Sequence, residues 1–336
     1  MKLMKIFTIC MLAIISICAI VCYNEITLKK EFKETIIEIP KGSGTKAIAS
    51  ILKENDMIVS SIIFVAESQK KGYAEDFKYG KFKVNNKMTS EELMETLTSS
   101  GEKVEGIKFV IPEGYTIKQI GEKLEDENII SKDSFYAAAG EAYDYEFLKD
   151  LEVTENYLEG YLFPSTYELA KDSTAEDIII KLLNGFNDNY DPLDVKKAEA
   201  LGYTYHDVIT VASIIEREVK VPLERKKVAG VIYNRLRDGI KLQMCSTIQY
   251  ILGEPKARLF EKDLEIESDY NTYMNAGLPI GPISSPGLDA IEAALNPEKH
   301  NYYFFVVKDS KTGTHQFSET LSEHNVAKAD YINDNF

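Results

Sequence analysis

Hydrophobic and polar positions between residues 34 and 185 follow the same order twice. At an offset of 72 residues, Ile39-Pro40-x-Gly42 is repeated as Ile111-Pro112-x-Gly114. Each copy predicts a strand, a Pro-x-Gly turn, an amphipathic helix and a second apolar run. The apolar positions that match after the turn are Ile48 and Ile120, Leu52 and Leu124, and Ile58 and Ile130.

A second repeat, at an offset of 85 residues, extends this pattern. In each copy a strand precedes a helix that Thr89 or Thr174 opens as its N-cap residue. The matched positions are Phe82, Val84, Thr89 and Leu93 against Tyr167, Leu169, Thr174 and Ile178. The order strand–helix–(helix)–strand–helix therefore predicts two small α+β modules, at 34–105 and 106–185. Such a repeat is usually structural or ligand-binding, and a ligand site between copies stays open.

A long amphipathic helix is predicted over residues 204–219. Thr204 and Asp207 have the spacing of a capping box, and Pro222 ends the run. A second helix is predicted from Leu223 to Leu236. The apolar face of the first helix consists of Val208, Val211, Ala212, Ile215 and Val219.

The remaining C-terminal segments alternate between irregular and regular patterns. The Pro/Gly-rich run 277–287 predicts a rigid, irregular loop, suited to line a groove for an extended polymer or simply an ordered loop. Residues 302–307 predict a buried strand, and 319–333 a closing helix.

Residues 6–23 form an uncharged apolar run that follows Lys2 and Lys5. As a helix the run would span about 27 Å, enough for a bilayer core. A cleaved signal peptide is the alternative, but the run lacks a convincing small-x-small cleavage site at its end. We expect a cytoplasmic tail (1–5) and a retained transmembrane anchor (6–23), although the flanking lysines barely indicate an orientation.

Composition limits the classes of partner. The formal charge of −15 and the lack of a basic stripe argue against nucleic acid. Three of the four cysteines lie within the apolar run, which leaves Cys245 alone. Neither a disulfide framework nor a metal site can be built from this set, so we expect no metal and no cofactor.

Two carboxylates, Glu216 and Glu218, lie at the end of the predicted helix 204–219. A carboxylate among apolar residues tends to keep its proton near neutral pH, as a general acid must. A charged helix edge is the structural alternative. At 100° per residue the two side chains lie about 200° apart, so they cannot enter one cleft together. Periodicity leaves open which of them faces the cleft.

Several ordered motifs resemble the endolytic murein transglycosylases of the YceG-like family. Together with the apolar N-terminal run and the Ile-Pro-x-Gly modules, they extend the resemblance over nearly the whole chain. The motifs are LEGYLFPSTY (158–167), ASIIERE (212–218), VAGVIYNRL (228–236), LQ (242–243), YNTY (270–273), GLPIGPISSPG (277–287), AALNP (293–297), YYFFV (302–306) and HQF (315–317).

The resemblance implies a single-pass membrane enzyme with an extracytoplasmic catalytic domain at 186–336. Its implied substrate is nascent peptidoglycan, cut internally between N-acetylmuramic acid and N-acetylglucosamine to leave a 1,6-anhydromuramoyl end. It also implies a LysM-like first module and partnership with cell-wall synthases and division or elongation proteins. The expected fold is α+β: an anchor, tandem LysM-like modules, and a mixed catalytic domain with a central helix.

The resemblance also implies that Glu218 is the catalytic acid. One carboxyl group suffices for such a lyase, because it protonates the leaving oxygen and then accepts the proton of the C6 hydroxyl. We assign Glu216 to a supporting role, through an ion pair to an arginine such as Arg235 or a hydrogen bond. The candidate substrate-binding residues are Asn271, Tyr273, Gln243, Asn234, Glu159 and Tyr161.

One segment departs from the family pattern. After Leu242-Gln243 the family usually has x-Asp-Pro-Thr, whereas this chain has Met244-Cys245-Ser246-Thr247. Two alternatives to the transglycosylase stay open. One is a weakly active or inactive peptidoglycan-binding scaffold, and the other is a hydrolase that pairs Glu218 with a second carboxylate such as Glu159.

Overall fold

The computed structural model describes residues 32–40, 43–74, 76–99, 106–254, 256 and 258–335. The chain divides into two compact units after residue 105. The expected tail (1–5) and membrane anchor (6–23) lie outside the described residues. Within the described ranges, no helix is both long and apolar enough to cross a membrane.

The first unit is a strand–helix–helix–strand–helix module. Its strands pair antiparallel, with Glu34 opposite Asn85 and Ile39 opposite Gly80. Helix α3 begins with a capping box between Thr89 and Glu92, as Thr89 predicts. The elements are β1 (Glu34–Ile39), α1 (Thr45–Glu54), α2 (Ser61–Lys71), β2 (Gly80–Asn85) and α3 (Ser90–Thr98).

The second unit opens with the same order of elements. Its strands also pair antiparallel, with Ile107 opposite Leu169. A capping box between Thr174 and Asp177 starts the last helix. The order of elements predicted from the two offsets is therefore present in both copies. The elements are β3 (Ile107–Val110), α4 (Ile117–Asp126), α5 (Lys132–Ala139), a 3₁₀ turn (Glu146–Leu148), β4 (Thr166–Leu169) and α6 (Ala175–Asn187).

Helices dominate the rest of the second unit. Its sheet, β5–β6, is an antiparallel pair in which Phe304 lies opposite Ser318. The elements are α7 (Pro192–Leu201), α8 (Tyr205–Glu218), a 3₁₀ turn (Pro222–Glu224), α9 (Arg225–Arg237), α10 (Cys245–Leu252), α11 (Glu261–Leu264), α12 (Leu288–Leu295), β5 (Phe304–Asp309), β6 (Thr314–Ser318) and α13 (Leu321–Asn335).

The two units have separate hydrophobic cores. The first contains Leu52 and Phe64, whereas the second runs from Phe109 to Leu295 in the sequence. Residues on both sides of position 185 contribute to that second core. In the structure the predicted module at 106–185 is therefore not a separate body from the region at 186–336, because its apolar side chains close onto the same helices.

Helix α8 is the centre of the second unit, as expected. The predicted capping box of Thr204 and Asp207 is present. Residues 208–215 are all buried, and α8 packs against α7, α9, α10 and α12. The helix ends at Glu218 because Val219 has an extended backbone, with φ −116° and ψ 107°.

The Pro/Gly-rich run 277–287 is a loop that packs onto the central helix. The Ile283 N–H donates to Ser213 Oγ at 3.0 Å, and the Gly114 N–H donates to Ser285 O at 2.8 Å. Residues 281–287 are buried. This part of the loop is thus a wall that joins α8 to the Pro-x-Gly turn of the second module.

Strand β5 is less buried than its aromatic sequence suggests. The prediction placed a buried strand at 302–307, but β5 begins at Phe304 and most of its residues are partly exposed. The physical reason is that β5 belongs to a two-stranded sheet, which α13 and α9 cover only in part. The closing helix predicted at 319–333 is present as α13.

Candidate active site

Glu218 is the last residue of α8 and is partly exposed. Its Oε1 accepts a hydrogen bond from the Ser246 N–H at 2.8 Å. Ser246 is the second residue of α10, so Glu218 faces a helix N-terminus, where backbone N–H groups carry partial positive charge. The arrangement holds one oxygen of the carboxylate in a fixed position.

The start of α10 is fixed by the turn at residues 271–273. The Met244 N–H donates to Thr272 Oγ1 at 2.9 Å, and the Gln243 N–H donates to Thr272 O at 3.0 Å. Gln243 has a positive φ of 52°, which is unusual for a residue other than glycine. Two bonds to Thr272, one to its side-chain hydroxyl and one to its carbonyl oxygen, therefore set the position of the α10 N-terminus.

Tyr273 lies in the immediate surroundings of Glu218. Its hydroxyl is 3.2 Å from the Sγ of Cys245, which begins α10. Burial is the main reason that the pKa of Tyr273 is raised, and the nearby Cys245 and Glu218 raise it further. The phenol therefore remains a neutral hydrogen-bond donor over the physiological pH range.

Glu216 forms an ion pair with an arginine, as predicted, but the arginine is Arg225 and not Arg235. Its Oε1 accepts from Arg225 Nη2 at 3.0 Å, and its Oε2 accepts from the Gly287 N–H at 3.0 Å. The side chains of Glu216 and Arg225 are only 7% and 10% exposed. Burial raises the pKa of Glu216, while the Gly287 N–H and Arg225 oppose that shift.

The predicted partner Arg235 instead organises the segment after α9. Its guanidinium donates to the carbonyl oxygens of Tyr303, Lys241 and Leu242, at distances from 2.6 to 2.9 Å. Its Nη1 also lies 3.4 Å from the Oε1 of Gln243, whose side chain is exposed. Of the two predicted cleft residues in this region, Gln243 is thus accessible.

Asn234, the other predicted cleft residue, is buried. Its Nδ2 donates to His300 O at 2.9 Å and to Tyr302 O at 3.0 Å. Its Oδ1 accepts from Arg237 Nη1 at 3.1 Å. The amide therefore ties α9 to the chain that leads into β5, and in this structure its polar atoms are occupied.

Asn271 is a turn residue in the structure. Its Nδ2 donates to the carbonyl oxygens of Leu264 and Ile266, and its Oδ1 accepts from the N–H groups of Tyr273 and Met274. The residue is fully buried. Since these bonds use its donors and its acceptor, Asn271 positions Tyr273 through the backbone.

Glu159 lies at a separate cavity of about 380 Å³ beside α8 and α10. The residue is 2% exposed, accepts from the Ile117 N–H at the start of α4, and accepts from the Tyr250 hydroxyl at 3.2 Å. Burial raises the pKa of Glu159 to about 8. Arg217, between Glu216 and Glu218, also lines this cavity.

The chain around Glu159 requires close backbone contact. Gly160 has a φ of +89°, and a Cβ atom there would lie 2.6 Å from Pro282 Cβ. Tyr161 is fully buried, and its hydroxyl is 2.8 Å from Nδ1 of His206. In this structure Tyr161 is thus a core residue, and His206 near the start of α8 is its partner.

Sequence reasoning missed Arg225, Ser246 and Tyr250 as neighbours of the carboxylates. Arg225 follows a 3₁₀ turn, which interrupts the helical period that would have indicated it. Ser246 contacts Glu218 through its backbone N–H, and the chemistry of its side chain cannot indicate such a contact.

Within the described ranges, no group of three or more His, Cys, Asp or Glu residues has the arrangement of a metal site.

Two curated relatives match most of this chain. A protein of Bacillus subtilis (strain 168) named endolytic murein transglycosylase is 38% identical over 324 residues, which cover 91% of this chain and 87% of that protein. A protein of the same name from Streptococcus pneumoniae serotype 2 (strain D39) is 31% identical over 328 residues. There the match covers 90% of this chain and 59% of the longer relative.

A solved structure and a family profile agree with these relatives. The crystal structure of a putative YceG-like protein from Listeria monocytogenes matches with a TM-score of 0.59 and 33% identity, over 88% of this chain and 99% of that one. The profile of the YceG-like family matches residues 37–330. The chain therefore belongs to the YceG-like family.

Proposed function

We propose that this protein is an endolytic murein transglycosylase that cuts peptidoglycan glycan strands between N-acetylmuramic acid and N-acetylglucosamine. The observation that carries the proposal is the placement of Glu218, a partly exposed carboxylate at the end of the central helix with one oxygen held at 2.8 Å by the Ser246 N–H. The names of the Bacillus and Streptococcus relatives supply the substrate class.

The proposed reaction uses Glu218 as both acid and base. Protonated Glu218 gives its proton to the glycosidic oxygen, and the bond from C1 to that oxygen breaks with its electron pair going to the oxygen. The C6 hydroxyl oxygen of the same muramoyl residue then bonds to C1, and its proton passes to the Glu218 carboxylate. The product has a 1,6-anhydromuramoyl end, and the reaction consumes neither water nor a cofactor.

Neighbouring carboxylates are less suited to this chemistry. Glu216 is buried in an ion pair with Arg225, so its oxygens are already occupied. Glu159 is held by the Ile117 N–H and by Tyr250. A two-carboxylate hydrolase needs a second free carboxyl group across the scissile bond, and these contacts argue against either residue in that role.

The residues around Glu218 supply candidate contacts to the substrate. Tyr273 offers a neutral hydroxyl and an aromatic face, and the exposed side chain of Gln243 offers an amide. The cavity beside Glu159 is lined by tyrosine, amide, hydroxyl and charged groups, which suit a hydroxyl-rich polymer. Asn271 holds Tyr273 in position by accepting a hydrogen bond from its backbone N–H.

The proposal extends to the membrane and to the first unit. Residues 6–23 anchor the protein in the cell membrane, because the uncharged run is long enough for a bilayer core. The catalytic region lies outside the cytoplasm, as the resemblance to the family implies. The first unit, with its paired strands and packed helices, binds glycan as a LysM-like module. Cell-wall synthases and division or elongation proteins are the partners that such an enzyme implies.

Analysis of the product ends tests the proposed reaction. The full-length protein in detergent is incubated with uncrosslinked peptidoglycan strands, and the fragments are examined by mass spectrometry. We expect internal cuts that leave anhydromuramoyl ends. Reducing ends would indicate a hydrolase and would direct attention to a second carboxylate. Binding without any cut would favour the scaffold alternative.

A further inference from the structure

The contact between Glu218 and Ser246 distinguishes the two oxygens of the carboxyl group. Oε1 accepts the Ser246 N–H at 2.8 Å. A backbone N–H can only donate, so a proton on Oε1 would compete with it for the same side of that oxygen. The proton of the neutral acid is therefore favoured on Oε2.

The donor is available because of its place in α10. Ser246 is the second residue of the helix, and the first four N–H groups of a helix have no carbonyl partner within it. The Met244 N–H donates to Thr272 Oγ1, and Thr247 Oγ1 donates to Met244 O at 2.8 Å. These bonds hold the first turn of α10, and with it the Ser246 N–H, in one place.

The side chain of Ser246 takes no part in this contact. Its Oγ is buried and has no hydrogen-bond partner among the described residues. A buried hydroxyl without a partner is unfavourable, so the residue is not explained by a side-chain bond that stabilises the fold. The observed contact to Glu218 runs through the main chain.

We infer that Ser246 is a positioning residue whose backbone N–H holds Glu218 Oε1 and thereby makes Oε2 the atom that gives and takes the proton. The inference rests on the proposed function. When Oε2 has protonated the glycosidic oxygen, negative charge spreads over both carboxylate oxygens. The bond to Oε1 then becomes charge-assisted and stronger, until Oε2 receives the proton of the C6 hydroxyl.

The test removes the N–H alone. In one variant, Ser246→Ala, the N–H stays and the hydroxyl is lost. In the other, lactic acid is incorporated at position 246, so that an ester oxygen replaces the N–H group of that alanine. Because hydrogen bonds to charged groups contribute about 1.5–3 kcal/mol, we expect kcat of the ester protein to be about 10–150-fold below that of Ser246→Ala, with KM within about threefold.

A second measurement separates positioning from loss of structure. The carboxyl carbon of Glu218 is labelled with ¹³C and titrated by NMR in both proteins. Without the N–H the carboxylate form loses a donor, so we expect the signal to titrate at a higher pH in the ester protein than in Ser246→Ala. Thermal unfolding of both proteins gives the folded fraction by which kcat is corrected.

Equal kcat values and equal titration curves for the two proteins would overturn the inference. The failure of the proposed function looks different, because it shows in the wild-type protein as the lack of anhydromuramoyl ends. In that case the ¹³C titration still decides whether the Ser246 N–H acts on Glu218. Cleavage by wild type with no difference between the two variants would leave the proposed function intact and reject the role of Ser246.

Discussion

The two strand–helix–helix–strand–helix modules of this chain share one plan and differ in one segment. Both pair their strands antiparallel, and both begin the last helix with a capping box. The connection from the second helix to the second strand is short in the first module (72–79) and long in the second (140–165). The long connection carries Glu159 and Tyr161. The longer connection thus places Glu159 at a cavity and Tyr161 in the core.

The hydrophobic cores of the two modules also differ. The first module closes onto its own apolar side chains, with Phe64 and Leu97 among them. The second places Phe109 and Leu124 in a core that it shares with the central helix α8. The second module therefore packs directly against the helix that carries Glu218.

The largest expected effect comes from breaking the buried ion pair of the second unit. Arg225→Met leaves Glu216 buried without its cation, which costs about 3–5 kcal/mol in unfolding free energy. The matched control is Lys71→Met in the first unit, which breaks an exposed pair with Glu91 and costs about 1 kcal/mol or less. Chemical denaturation of each variant measures both values.

The Arg225→Met effect also depends on pH. Burial raises the pKa of Glu216, so the folded protein keeps that proton at a higher pH than the unfolded chain does. The stability that this provides is present below the unfolded pKa and is lost as pH rises. Arg225 lowers this pKa, so its removal makes Glu216 hold the proton more strongly. A protonated Glu216 needs no cation, and we therefore expect the loss of stability in Arg225→Met to become smaller as pH falls toward 4. A loss of unfolding free energy that stayed constant down to pH 4 would contradict the assignment of Arg225 as the cation that pairs with Glu216.

A matched pair of core truncations tests whether the two cores are separate. Leu52 and Leu124 occupy equivalent repeat positions, and both are fully buried. Each Leu→Ala change should cost about 2–5 kcal/mol. We expect Leu52→Ala to lower only the melting transition of the first unit and to leave turnover unchanged at 25 °C. Leu124→Ala should lower the transition that accompanies loss of activity. Equal effects on both transitions would contradict the comparison.

Glu159, in the long connection, should give an effect on stability that changes gradually with pH. Burial raises its pKa to about 8, whereas an unfolded glutamate titrates near 4.3. The folded state is therefore favoured below about pH 4, and it loses about 1.4 kcal/mol per pH unit between these values. We expect Glu159→Gln to remove this slope when stability is measured from pH 5 to 8. If stability fell with pH equally in Glu159→Gln and in wild type, Glu159 would not be the source of the pH dependence.

Much of the fold could be predicted from the sequence because it rests on local chemistry. The repeats, the capping boxes at Thr174 and Thr204, and the end of α8 near Pro222 all depend on residues close in the chain. The shared core was not predictable in this way. A pattern of apolar residues shows which face is buried and leaves open what covers it.

The position of Glu218 at a helix end was predictable from the sequence, whereas most of the contacts around the two carboxylates were not. Glu218 stands at the end of a strongly periodic helix, and its motif matches the family. The amide side chains of Asn271 and Asn234 can hydrogen-bond to a substrate or to the main chain equally well. Only the structure shows that they bond to the main chain. The pairing of Glu216 with Arg225, not Arg235, follows from a 3₁₀ turn that periodicity cannot describe.

Turnover of Glu218→Gln tests the central claim most directly. Glutamine has nearly the same shape but cannot donate the required proton, and general acid–base catalysis contributes about 10²–10⁴-fold. We expect kcat on uncrosslinked strands to fall by at least about 100-fold, with binding of the strands and the melting temperature retained. Activity within a few-fold of wild type would contradict the assignment of Glu218 as the catalytic acid and base.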